Sequence, residues 1–356
     1  MKGAPIKKQK GVTLLIVLVI VALSTVIATQ LIEHGTFAER RTTLMLSRDQ
    51  AYQLALGGES LARQWLAKGF AGSELVHLNQ PWATTPFEYP IEGGMINGEV
   101  MDAQSCFNLN SLDPAASEGD GQNPPGNEPP PPGTGGSTNN ENPLDNQRQD
   151  KDEKIFENLI NEVLKEVDAG GVTAQSLVAP VVDWIDNDIE PKGIDGAEDL
   201  LYTGYEVPYR TANSLMASKS ELRMIKGFNA EVYEAIKDYL CVLPRSDVNK
   251  INVNTLLPEQ AILIAAMSND IDLSLAQTII SNRPEDGYDS QSFAAQLPAN
   301  NQISLDRIDF TSKYFLLKFK VDFKGAMFRM GSLVESTGGD PAKPQFRVIA
   351  RYFGEF

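Results

Sequence analysis

Residues 183–199 read DWIDNDIEPKGIDGAED and set carboxylates at Asp183, Asp186, Asp188, Glu190, Asp195, Glu198 and Asp199. Acids this dense repel one another unless water or a cation neutralises them, and hard oxygen ligands crowded into a glycine-containing loop are what calcium requires. The EF-hand template does not fit: started at Asp186, it puts Pro191 where the turn needs glycine and Ala197 where the bidentate glutamate belongs. A calcium loop here is therefore of another kind, and the competing reading is a solvated acidic turn without metal. Asp183 has a further reading as a cap for the helix that contains Trp184. His34 and His77 are the two histidines. They lie far from the acidic run and have no serine or cysteine partner at a useful spacing, so neither a zinc-type site nor a nucleophile–base pair is expected, and the chain reads as non-enzymatic.

The elements that would carry this loop begin at the N-terminus with KKQKGVTLLIVLVIVALSTVIATQLIEH, residues 7–34. The apolar run 12–32 covers the hydrocarbon core of a bilayer at about 1.5 Å per helical residue. A secretory signal would have a shorter apolar region followed by a small-x-small cleavage site. Lys2, Lys7, Lys8 and Lys10 precede the run, so the positive-inside rule leaves them in the cytoplasm and sends the rest of the chain across. A formal net charge of −16 argues against a nucleic-acid partner, which would want a basic stripe. Cys106 and Cys241, two cysteines in an exported chain, are either bonded to each other or two buried thiols.

Beyond the membrane the helical period continues through Leu54, Gly58, Leu61 and Trp65, broadened by Tyr52, Ala55 and Ala62, and predicts one long helix to about Lys68, ended by Gly69. Strand character follows at 94–112 and again in FLLKFKVDF, AMFRMGSLV and FRVIARYF. In the first of these three, Phe315, Leu317, Phe319, Val321 and Phe323 alternate with Lys318, Lys320 and Asp322, as in a strand with one buried face. Residues 113–153, rich in Pro, Gly, Asn and acids, read as a disordered linker. Residues 154–310 read as a helical domain inserted into the sheet region, its two ends returning close together. Within it, stretches from Ser220 and from Ala265 look like helix-hairpin-helix units, but of their hairpins, Gly227-Phe228-Asn229 and Asn269-Asp270-Ile271, the second has no glycine and an added carboxylate, unlike the glycine-rich hairpins of DNA-binding versions. Packing is their expected role. Asn252 and Asn254, in DVNKINVNT, are expected to satisfy backbone groups.

Basic residues, then Gly11, then an apolar segment from Val12 resemble the class III signal of the type IV pilin family. By that resemblance a prepilin peptidase cuts between Gly11 and Val12 and methylates the new N-terminus, leaving the anchor attached. Pilins usually carry glutamate at the fifth mature position; here Ile16 stands there. This departure and the inserted helical domain resemble the K family of type II secretion minor pseudopilins, as does the segment DGAEDLLYTGYEVPYRTANSLMASKSELRMI, and the similarity covers nearly the whole chain outside 113–153. The family implies an α+β fold, a pilin-like long N-terminal helix on an antiparallel sheet with a large all-α domain inserted. The expected divisions are a leader 1–11, a transmembrane segment 12–32, a first pilin-like part 33–112, the linker 113–153, the helical domain 154–310 and terminal strands 311–356. It further implies calcium, with Asp186, Asp188, Asp195, Glu198 and Asp199 as ligand candidates. The implied partners are pseudopilins I and J in a tip complex, prepilin peptidase, the major pseudopilin, secreted substrates and the inner membrane, with the C-terminal domain in the periplasm. The alternatives are a minor pilin of a type IV pilus and a membrane-tethered DNA-uptake receptor.

Overall fold

The helix does not stop where the apolar run ends at Ile32. In the computed structural model, which describes residues 12–70, 72–84, 87–114, 143–167, 169–299, 303, 305–338 and 344–354, a single helix α1 spans Val12–Phe70. Its 59 residues extend about 88 Å at 1.5 Å each. The expected leader 1–11, Gly11 included, and residues 115–142 of the expected linker lie outside the described residues. A short α2 (Pro81–Thr84) and the strands β1 (Phe87–Ile91), β2 (Gly94–Asp102) and β3 (Phe107–Asn108) follow. Next come α3 (Pro143–Leu164), α4 (Gln175–Ile185), α5 (Asp199–Tyr202), α6 (Ala230–Ile236), β4 (Leu240–Cys241) and β5 (Ile251–Asn252). The chain finishes with α7 (Ile262–Ala266), α8 (Leu273–Ser281), α9 (Ser290–Ala294), β6 (Ile308–Asp309), β7 (Tyr314–Phe323), β8 (Ala326–Ser336) and β9 (Phe346–Phe353).

Residues Val12 to Leu46 of α1 are exposed on every side, and burial begins at Ser47. From there Ala51, Ala55, Gly58, Ala62, Leu66 and Phe70 are buried against a five-stranded antiparallel sheet in the order β1-β2-β7-β8-β9. The buried face differs from the expected stripe, since Leu61 is 47% exposed. Its centre is made of small residues because the sheet supplies the bulk: a Cβ on Gly58 would lie 3.3 Å from the Phe319 ring, so helix and sheet approach closely only with glycine there. Phe315, Leu317, Phe319, Val321 and Phe323 of β7 are buried, as the alternation predicts. Gly69 does not end the helix, which runs to Phe70, and the left-handed Gly72 (φ 78°) follows instead.

One buried ion pair ties the helix to the sheet edge. Glu59 accepts from Arg351 Nε at 2.8 Å and Nη2 at 2.9 Å, and from Ser332 Oγ at 2.6 Å. Burial alone would push its pKa up; the bonds from Arg351 and Ser332 outweigh that and hold it below the ordinary value.

The chain leaves the sheet at Asp102 and returns at Tyr314, and the exit and entry points are neighbours: Asp102 pairs with Phe315, and Ala103 N donates to Tyr314 O at 3.0 Å. The domain between them starts earlier than expected. Phe107, Leu109 and Leu112 belong to the helical core, not to a continuing strand, because after Asp102 the chain turns away from the sheet into β3 and a 3₁₀ turn. The linker reading of 113–153 is likewise corrected at its C-terminal end, where α3 begins at Pro143 and buries Ile155, Phe156, Leu159 and Ile160 further along. Proline at the first helical position suits the start of a helix even in a polar stretch. The segment 212–225, expected to be helical, carries only a 3₁₀ turn at Lys219–Met224, capped by Ser218 with Glu221.

The helical domain is closed by two parallel strand pairs. β3 joins β4, with Cys106 and Cys241 linked by a disulfide, and β5 joins β6. Each pair brings together the ends of one half of the domain, while a single apolar core runs through both. The buried Arg307–Asp152 ion pair connects α3 to the second half.

Replacing Arg351 by alanine leaves Glu59 buried and unpaired. We expect a loss of about 2–3 kcal/mol, the low end for a broken buried pair because the guanidinium is 40% exposed. Since the folded pKa of Glu59 is lowered, its contribution is present above the unfolded carboxylate pKa and is lost as pH falls through the folded one. Urea denaturation of both proteins at neutral pH and at about pH 3, below the unfolded carboxylate pKa, should therefore give a gap that narrows toward acid; an equal gap at both pH values overturns the assignment.

Candidate metal centre

The acidic loop is organised by the C-terminal end of α4. That helix is buried on several sides through Leu177, Val181, Val182, Trp184 and Ile185, which carries Asp183 into the interior with no exposed surface. Asp183 is not an N-cap for this helix, as one reading had it, because it lies in the last turn. Its carboxylate faces the loop that follows, accepting from Lys192 N at 3.0 Å and Ala197 N at 2.5 Å. The loop can wrap this tightly because residue 196 is glycine: a Cβ there would sit 2.4 Å from Lys192 N and 2.6 Å from Asp183 Oδ2. Gly193 supplies a left-handed turn (φ 65°) on the way.

With the loop folded back, three of the five candidate ligands converge. Oxygens of Asp186, Asp188 and Glu198 lie within 4.8 Å of one another. Asp186 follows the last residue of α4 and donates its backbone N–H to Val182 O at 2.9 Å. Glu198 sits at the N-cap of α5, and its Oε2 accepts from Thr211 Oγ1 at 3.1 Å. Asp195 and Asp199 do not join the group. Asp199 is drawn away by Thr211, which donates through its backbone N–H at 3.0 Å and its hydroxyl at 2.9 Å, and by Arg210 at 3.5 Å. Asp195 is tied through its carbonyl to Lys226 Nζ at 2.9 Å.

Two oxygens in the converged group have no hydrogen-bond partner although they are buried, Asp186 Oδ1 and Glu198 Oε1. Among the described residues no lysine or arginine pairs with Asp186, Asp188 or Glu198. Burial, then repulsion from Asp188, Asp183 and Glu198, pushes the Asp186 carboxyl up to about 7. Glu198 is also pushed up, chiefly by burial, with Thr211 opposing. Buried polar atoms are ordinarily satisfied, so two orphaned carboxylate oxygens side by side describe a cradle for positive charge.

Sequence reasoning missed Asn213. Its side-chain Nδ2 donates to Asp188 O at 2.8 Å, its Oδ1 is a third buried oxygen without a partner, and its backbone is left-handed (φ 43°). Nothing in its spacing from the acidic run marks it; the position emerges only when the segment after α5 folds back. Carboxylate and amide oxygens together form a hard donor set, and opposed ligands around calcium are separated by roughly twice the 2.3–2.6 Å bond length. The 4.8 Å spread fits that distance.

Gly196→Ala should displace the loop from Asp183 and cost about 1–3 kcal/mol, the range for forced overpacking. Hydrogen exchange of the Lys192 and Ala197 amides is the direct readout; unchanged protection of both would mean the Asp183 contacts do not hold the loop.

Two family models match the chain, both described as type II secretion system (T2SS), protein K, one over residues 105–245 and the other over 251–311. These spans coincide with the two halves closed by the β3–β4 and β5–β6 pairs. The Type II secretion system protein K of Pectobacterium carotovorum subsp. carotovorum is 32% identical over 98% of both chains. That of Aeromonas hydrophila is 33% identical over 87% of both. A chain in the crystal structure of the GspK-GspI-GspJ complex from enterotoxigenic Escherichia coli Type 2 Secretion System shares 26% identity and superposes with a TM-score of 0.69, covering 89% of this chain and 100% of that one.

Proposed function

The chain belongs to the type II secretion system protein K family, and on that premise we propose that it is a minor pseudopilin at the tip of the pseudopilus, assembled with pseudopilins I and J. The observation that carries the reading is the order of parts: an apolar helix continuous with a small-residue face on an antiparallel sheet, and a helical domain inserted between two adjacent strands. A relative of known structure superposes over 89% of this chain and comes from a GspK-GspI-GspJ complex.

Each part has a physical task. α1 is long and apolar enough to cross a membrane, the only such helix among the described residues, and its exposed stretch to Leu46 leaves about 20 Å beyond Ile32 before the sheet begins. Lipid covers the first part in an inner-membrane, single-pass orientation, and helices of neighbouring subunits cover the second. The inserted domain adds bulk that a filament shaft does not accommodate, which favours the tip. Ile16 needs no amine from a subunit ahead of it, since it carries no charge to neutralise in lipid. The body occupies the periplasm, and its role is assembly, not catalysis.

Processing between Gly11 and Val12 by prepilin peptidase belongs to the same reading. Intact mass of the membrane-extracted chain, expressed with and without the peptidase, tests it. Loss of residues 1–11 with a methylated Val12 is expected only when the peptidase is present, followed by co-purification with I and J. An uncut chain in both samples sinks the assignment.

Calcium is proposed for the carboxylate group, held by Asp186, Asp188 and Glu198 with Asn213 beside them. When bound it would supply the positive charge that lets α4, α5 and the segment after it stay together. With an affinity of about 0.1 mM, common among extracellular calcium modules, 10 mM calcium stabilises by about 2.7 kcal/mol. Chelator-treated protein should thus melt several degrees lower than the calcium-loaded form, and Asp186→Asn should abolish most of the difference. Equal melting temperatures with chelator and with calcium would leave the site a metal-free acidic turn.

A further inference from the structure

The arms that leave the carboxylate group are covered with apolar side chains facing water. Leu200 is 89% exposed, Val207 77% and Ile189 73%, and Leu201 and Tyr205 are exposed as well. Two contacts bring the chain segments that bear them into one region. α5 carries Leu200 and Leu201 and starts at Glu198, whose oxygen lies within 4.8 Å of that of Asp188, the residue before Ile189. Tyr205 is fixed edge-on to Tyr202 at 5.8 Å and to Tyr209 at 5.8 Å, and Tyr202 is fully buried on Trp184. The patch thus rides on an anchored aromatic base. The exposed carboxylates Glu190 and Glu206 lie beside its residues in the chain.

An exposed apolar patch with a polar rim marks an interaction surface. We propose that the surface from Ile189 to Val207 docks a segment of another protein that carries lysine or arginine beside apolar side chains. The charge of the rim selects the occupant. A second copy of this chain would bring the same acids against it, with a net charge of −16 on each. Residues 115–142 of this chain contain neither lysine nor arginine and no large apolar side chain, so they cannot complement it. An anionic leaflet repels carboxylates, and the sheet that bears the helical domain begins about 20 Å along α1 from the end of the apolar run. A basic, amphipathic protein segment satisfies both the apolar centre and the acidic rim.

The surface does not rest on the position at the tip. Its test uses the full chain in phosphatidylcholine nanodiscs, followed by hydrogen exchange of residues 198–209. The probes are an amphipathic lysine–leucine peptide of about 14 residues, its glutamate–leucine counterpart and phosphatidylglycerol vesicles. The lysine peptide should slow exchange in that segment by about threefold or more, and the other two should not. Leu200→Asp removes apolar surface while adding negative charge, and Leu200 is exposed enough that the fold does not depend on it. Protection should vanish in this variant. Protection retained in Leu200→Asp would mean that charge alone attracts the peptide. Protection by the glutamate peptide or by vesicles, or none by any probe, equally overturns the proposal.

Discussion

Everything outside the pilin-like body depends on how one buried carboxylate is satisfied. Asp102 lies where β2 ends and the chain departs for the helical domain, and it is 6% exposed. Burial raises its pKa, and its bonds oppose that shift: Oδ2 accepts from Ser312 Oγ at 2.6 Å, Thr255 Oγ1 at 2.6 Å and Asn252 Nδ2 at 3.0 Å, while Oδ1 accepts from Gln104 N at 2.8 Å. These donors come from the exit, the middle and the return of the inserted domain. Asn252 also reaches Val76 O at 3.1 Å, which brings in the segment after α1. A buried polar network of this sort is costly when incomplete and fixes geometry when complete. The two crossing points between body and insertion therefore form one rigid neck.

From the neck, rigidity extends in two directions. Toward the membrane, the close seating of Gly58 on Phe319 and the Glu59–Arg351 pair lock α1 to the sheet, so that the exposed 12–46 stretch acts as a stiff lever continuous with the body. Away from it, the disulfide and the parallel strand pairs close each half of the helical domain on itself. In the chain-entropy view, a loop of this length contributes about 4–5 kcal/mol when clamped.

The acidic loop follows the opposite logic. Asp183 is satisfied by backbone amides and shapes the turn, whereas Asp186 and Glu198 are gathered without donors for all their oxygens. The same chemistry, carboxylates in one loop, is thus divided between a structural member and members held in an unfavourable state. That division follows from which oxygens the folded backbone can reach.

The apolar helix, the alternation in β7 and the acidity of the loop are local properties, and the sequence alone was enough to determine them. Val12 to Ile32 is predominantly apolar and carries no charged residue, and Phe315 to Phe323 alternates at period two, so neither depends on a distant partner. The pilin-like plan and the insertion were legible through the family resemblance. Tertiary structure decided the rest. Leu61 looked like a core residue and is exposed, because the sheet selects the small-residue face of α1. Phe107 to Leu112 left the sheet for the helical core, because Asp102 turns the chain at the neck. Asp195 and Asp199 do not join the ligand group, the Asp199 carboxylate being taken by Thr211 and Arg210, while Asn213 came beside the group through its bond to Asp188 O, twenty-five residues away. Periodicity reports which side of an element is apolar; only the folded chain determines which polar atoms find partners and which are left facing one another.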